Sequence, residues 1–334
     1  MGPIKRSLLV ITAALFCQTP SQCQGFRVDP FGLDGKGGYW TKWDSVQQKL
    51  LLYRDTDDAA VPGARIFARD GSSIPVYPVR DLDQARYVDV WDVAATPQGG
   101  IVLSVIVGYA PRKVKPAKLK SFLLTYDSVG GLKKVWEMDP YHHHLLAADR
   151  DGNVFALGDS NLKEPYPLLV KYSHTGSVLA EFLPSSTFPE GEKVISNGAA
   201  TGDSRMFIAG DHLYVWLARP QELLGFSLRG ELVTRTSFAQ AFSGLATETG
   251  KARARVKLLT ATEDGRVFAE IQLWPSQASD SVRSVVVRLS PDGSRATLLP
   301  VPLDPAWLLG NTAAGKLVFL QPESEGRAGS IVIW

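Results

Sequence analysis

The 334-residue chain carries 36 Lys and Arg against 34 Asp and Glu, with 45% hydrophobic residues and two cysteines. That near-neutral balance argues against general nucleic-acid binding, and past the N-terminal run no apolar stretch approaches the length of a membrane span. The chain is long enough to bury most of its unfolded surface without covalent staples.

The first element is not expected to belong to the fold. Lys5 and Arg6 precede SLLVITAALF (residues 7–16), a run suited to a secretory signal and too short to cross a bilayer. Ser21 and Cys23 supply small residues at the −3 and −1 positions of a cut before Gln24. Residues 1–23 are therefore expected to be removed on export, leaving a single folded domain over 24–334 in a secreted or periplasmic setting. Bulky Leu15 and Phe16 before Cys17 speak against lipidation. Because Cys17 and Cys23 both fall in or beside this leader, the mature chain is expected to have no disulfide, no thiolate nucleophile and no cysteine metal ligand.

Beyond the leader the chain repeats itself. A short turn feeding an apolar strand recurs as TPQGGIVLS (96–104), DRDGNVFAL (149–157), TEDGRVFAE (262–270) and TAAGKLVFL (312–320). A second pattern sets a glycine four residues after an aromatic or aliphatic one, at Gly71, Gly130, Gly176, Gly230 and Gly293. Such glycines supply the positive φ of tight hairpins, and flanking runs such as IVLSVIV and SVVVRL are β-branched and apolar, as buried strands are. No 12-residue stretch combines a helical period with caps, so the chain reads as all-β.

A unit of roughly 50 residues with two hairpins predicts a four-stranded antiparallel propeller blade. Six units follow in order: about 39–80, 88–138, 143–184, 196–238, 254–300 and 306–334. The fourth, DSRMFIAGDHLYVWLA, lacks the standard turn and leaves five or seven blades as alternatives. The last ends one strand early at GSIVIW, and GFRVDPF (25–31) is available to supply the missing strand and close the ring. The stretch AADRDGNVFALGDSN…LLVKYSHTGSVLAEF resembles the repeats of six-bladed propellers of the NHL and TolB-like type, most closely in the third unit. The resemblance implies an architecture and no particular activity.

Two stretches invite a chemical reading. DRDGN looks like a calcium loop, but an EF-hand needs glycine at its sixth position and glutamate at its twelfth. Here Gly152 is fourth and Ser160 twelfth, so a hairpin whose Asp accepts local backbone hydrogen bonds is expected instead. YHHHLL places His142 and His144 on one side of an innermost strand near the channel mouth, with His143 on the other. Asp89, Asn197, Lys257 and Asp304 fall at similar positions on other blades, and Trp40, Trp91, Trp274 and Trp307 near the same face.

Candidate ligand-binding residues are therefore His142, His144, Asp89, Trp91, Asn197, Lys257, Asp304 and Trp307, with no catalytic or metal-ligating residue assigned and no cofactor expected. The basic tip APRKVKPAKLK (110–120) reads as a solvated loop or an anion-binding one. No nucleophile elbow, P-loop or zinc-protease motif occurs. The expected function is non-enzymatic: an exported scaffold for a protein, glycan or small molecule. The competing expectation is a lactonase- or lyase-type enzyme with a divalent metal at the channel mouth.

Overall fold

The computed structural model describes residues 27–28, 40–68, 71–112, 119–160, 166–188, 204–251, 253–275, 282–301, 307–322 and 329–334. The leader, Asn197 and Asp304 lie outside the described residues.

The strands form six four-stranded antiparallel sheets, each in sequential order apart from the last. Their innermost strands are Trp40–Asp44, Tyr87–Ala95, Tyr141–Ala148, Arg205–Ala209, Arg253–Ala261 and Trp307–Asn311, for blades one to six. Each inner strand packs against those of the two neighbouring blades, and the sixth returns to the first, so the strands ring a central channel. Burial follows from this layering. The second strand of blade 2, Ile101–Gly108, is buried throughout, whereas the outermost strand of blade 4, Leu232–Ser237, is almost wholly exposed. The cores lie between blades: Leu51 and Ile66 of the first pack with Val88, Val105 and Leu124 of the second.

One hairpin recurs in every blade. Its first residue donates its N–H to the carbonyl beyond the turn and accepts the N–H of the glycine, as in Asp127 with Gly131 and Gly130, or Ser173 with Ser177 and Gly176. The glycine occupies the left-handed region that closes a type I turn, with φ of 83° at Gly130 and 92° at Gly176. The space beside Gly176 is filled as well: a Cβ there would sit 2.4 Å from Cε2 of Trp136, on the outer strand of blade 2. Gly176→Val is therefore expected to destabilise the protein by about 1–3 kcal/mol, measured by the midpoint of denaturant unfolding. An unchanged midpoint would mean that this turn is not built as described.

Asp149 in DRDGN is a member of this hairpin set. Its Oδ1 accepts the N–H groups of Asp151 and Asn153 at 3.0 and 2.8 Å, and its Oδ2 accepts Asn153 Nδ2 at 2.9 Å. Thr96, Thr262 and Thr312 fill the equivalent position, their hydroxyls accepting the same N–H.

Two features depart from the sequence expectation. A ten-residue helix, Ala239–Glu248, joins blades 4 and 5 and buries Ala241, Phe242, Leu245 and Ala246 against Trp216 and Phe238. It has no side-chain N-cap and no acidic residue in its first turn, so it left no boundary signal. Blade 4 is a full blade whose first hairpin is a two-residue turn around Gly210, φ 57°, with Ala209 paired to His212. Its short turn does not repeat the longer glycine spacing.

The sixth sheet is completed from the other end of the chain. Arg27–Val28 pairs antiparallel with Gly329–Ile333, Arg27 opposite Ser330. Deleting the chain through Phe31 would leave the last strand as an open edge. The deletion is expected to lower Tm and raise light scattering on heating; a variant matching the full chain in both would show that the pairing contributes nothing.

Candidate functional site

The inner strands share an irregularity that sets the channel wall. In four of them the register slips by one residue: at the same level between Val90 and Asp92, His143 and Leu145, and Val256 and Leu258, and two residues nearer the turn between Leu308 and Gly310. The extra residues are Trp91, His144, Lys257 and Leu309. A bulge bends its strand and re-aims the side chain it carries, and Trp91, His144 and Leu309 line the channel. The inner strands of blades 1 and 4 pair without a slip.

These two blades stand opposite each other in the ring and meet across it. The turn after Trp40–Asp44 reaches over the channel, where Ser45 Oγ donates to the carbonyl of Ile208 at 2.6 Å. The channel is thereby bridged at the face of the tight turns. Toward the other face it opens as a funnel of about 740 Å³, within the range of small-molecule sites.

The funnel wall alternates rings with charges. Trp91 and His144 stack with centroids 4.1 Å apart and planes 15° from parallel. Trp40, half exposed at the rim, leans on Tyr53 at 5.6 Å. Across the funnel, Phe207 of blade 4 stacks on Tyr214 at 5.5 Å. The charges between them are engaged by one another or by backbone groups. Lys42 Nζ lies 2.6 Å from both Asp92 Oδ2 and the Leu146 carbonyl, and Asp92 Oδ2 also accepts the Leu146 N–H at 2.7 Å. Burial and the neighbouring Asp92 push the Tyr53 hydroxyl well above the usual tyrosine range. Asp89 is held by both ends of the Arg112 guanidinium, and Arg112 itself stacks over Tyr87. Asp55 Oδ1 accepts the Val90 N–H at 2.9 Å; desolvation and then Asp89 raise its carboxyl above the ordinary range. Arg205 donates to the carbonyls of Ser204 and Lys257, at 2.7 and 3.3 Å.

Of the residues expected from sequence, Asp89, Trp91 and His144 come together on the funnel wall. His142 stands behind them. It and His144 flank Asp159 on the second strand of blade 3, at 3.6 and 3.3 Å, and the latter approach is off the line of a hydrogen bond, leaving His144 Nε2 buried without one. His143 points the other way, with Nε2 2.8 Å from the Tyr172 hydroxyl, and burial depresses its pKa to about 3. Lys257 and Trp307 meet each other instead of the funnel: the ammonium lies 5.0 Å from the ring centroid and 3.1 Å from the buried Glu270 carboxylate. Trp274 is stacked by Arg253. Lys42, Tyr53, Asp55, Asp92, Arg205 and Asp159 were not singled out from sequence. Only Asp92 left a signal there, as a carboxylate in the otherwise apolar strand VWDVAA. Among the described residues no cluster of three or more His, Cys, Asp or Glu side chains is placed to hold a metal ion, and no helix is long and apolar enough to cross a membrane.

Changing His142 and His144 together to glutamine keeps polar groups at both places. The double variant is expected to stay within about 1 kcal/mol of the parent stability, with a Tm that a chelator leaves unmoved in either protein. A chelator-induced drop in the parent Tm, absent from the variant, would assign these histidines to a metal.

No protein-family model and no curated protein matches the chain. Solved structures do. A Bacteroides fragilis protein named as exported superposes with a TM-score of 0.50 at 10% identity, covering 93% of this chain and 94% of its own. Streptogramin B lyase gives 0.45 at 10% identity over 89% of this chain and 93% of its own. A gluconolactonase from Xanthomonas campestris gives 0.40 at 13% identity over 88% and 86%. At these identities the likeness is one of fold, and the fold is a β-propeller.

Proposed function

We propose that this chain is an exported β-propeller that holds a ligand non-covalently in the blind funnel at its channel mouth. Export is supported by the basic, apolar and small-residue succession of residues 1–23. The NHL- and TolB-like reading of its repeats is carried by blade 3. The observation that carries the functional reading is the wall itself: stacked rings framing Asp92 and Asp89, carboxylates already paired with Lys42 and Arg112. A carboxylate committed to an ammonium or a guanidinium is preorganised to accept hydrogen bonds and poorly placed to shuttle protons. Such a lining suits retention of a ligand over its conversion.

The test is a thermal-shift screen of small metabolites and oligosaccharides on the mature protein, beside Thr41→Trp, which fills the funnel from an inner strand. A ligand is expected to raise the parent Tm by mass action, to leave the variant unmoved, and to be recovered chemically unchanged. Recovery of a converted product would favour an enzyme; equal shifts in both proteins, or none, would move function away from the funnel.

A further inference from the structure

We infer that the funnel's ligand is the end of an uncharged saccharide, an inference that rests on the ligand-holding reading above. Charge is the first discriminator. The lining holds three carboxylates, Asp55, Asp89 and Asp92, against Lys42 and Arg205, and Arg112 bound to Asp89 brings the cations level. An anionic ligand would meet Asp55 and Asp89 at the rim, and a cationic one Arg205 and Lys42. A charged ligand drawn to Lys42, Asp89 or Asp92 would have to break an ion pair already made, and an anion drawn to Arg205 would compete with the backbone carbonyls it already serves. A pure hydrocarbon would strip water from all of these groups without replacing its hydrogen bonds.

What remains is a neutral molecule with both an apolar face and many hydroxyls. A pyranose ring presents such a surface: axial C–H bonds on its faces, hydroxyls around its edge. The C–H faces match flat, electron-rich rings. Two platforms suit them, Trp91 held against His144, and Trp40 supported at the rim by Tyr53. Both are fixed by a ring neighbour, so little freedom is lost on binding. The edge hydroxyls match carboxylates that accept and a guanidinium that donates, and charge-assisted bonds of this kind are the stronger ones. Asp55 and Asp89 lie beside the platforms, and Arg205 with Phe207 stands on the opposite blade. The bridge between Ser45 and Ile208 stops the channel below, so a chain enters by its end.

Titration calorimetry with a panel of neutral gluco-, manno-, galacto- and xylo-oligosaccharides, beside uronate-bearing counterparts, tests this. At least one neutral series is expected to bind the mature protein, with its uronate counterpart weaker. Trp91→Ala and Trp40→Ala should each weaken binding roughly tenfold or more, and Trp91→Phe should restore most of it. Trp40 is 51% exposed, so its removal leaves the core intact even where Trp91→Ala fails to fold. Binding that the tryptophan variants leave untouched, or failure of every neutral saccharide, overturns the inference. A charged or non-saccharide ligand that Thr41→Trp excludes overturns it while sparing the funnel. If Thr41→Trp excludes no ligand of any class, the ligand-holding reading falls with it.

Discussion

Replacing Asp92 by alanine is expected to destabilise the protein by about 3–5 kcal/mol, the cost of removing one member of a buried ion pair. The side chain is only 3% exposed, and its Oδ2 serves two blades at once, taking the Lys42 ammonium of blade 1 and the Leu146 N–H of blade 3. Alanine would leave the buried Leu146 amide without its acceptor and the Lys42 ammonium without its counter-charge, with the Leu146 carbonyl still accepting from it. Asp92→Asn should be milder, since the amide carbonyl still accepts one of them. Denaturant midpoints of the two variants read this directly. A loss below about 1 kcal/mol for Asp92→Ala would mean that the inner strands do not depend on this joint.

The second large effect is a loss of stability in acid. His143 is buried on the side away from the funnel, and burial lowers its pKa from 6.5 to about 3 in the folded state. The unfolded chain therefore binds this proton first. Stability from this group is fully present above pH 6.5 and is lost as pH falls toward 3. Between pH 7 and pH 5 the loss is about 2 kcal/mol, growing to about 3 kcal/mol at pH 4. His143→Gln should flatten that part of the curve while costing some stability at neutral pH, because Tyr172 loses its imidazole partner. Equal slopes for parent and variant over pH 4–6.5 would show that His143 titrates normally in the folded protein.

The propeller was legible because its signals are local. A glycine at a fixed distance after Phe67, Tyr126, Tyr172, Phe226 or Leu289 marks a hairpin whose geometry only a positive φ permits, and all five take it. The pairing of the extreme ends was inferable for a related reason, as a last unit one strand short needs a donor. The helix over Ala239–Glu248 was not, since packing against Trp216 and Phe238 holds it in place of caps.

The site was half legible. Strand alternation puts His143 opposite in sense to His142, as found. The partner of His142 was hidden by the bulge at His144. Continuing the register from Ala148 opposite Val154 without a slip would set His142 against Ser160; the slip sets it against Asp159. Bulges of this kind have no sequence signature here, yet in blades 2 and 3 they aim Trp91 and His144 into the funnel. Lys42, Arg205 and Asp55 belong to the site only because blades distant in sequence converge on it, a relation that no spacing in the chain encodes.

The central claim, that ligand is held in the funnel, is tested most directly by fluorine NMR of protein carrying 5-fluorotryptophan at its eight tryptophans. Saturating ligand is predicted to shift the signals of Trp40, Trp43 and Trp91, which line the funnel, and to leave those of Trp136, Trp216, Trp274 and Trp334 in place. Shifts confined to that second group, with Trp40 and Trp91 unmoved, would contradict the account.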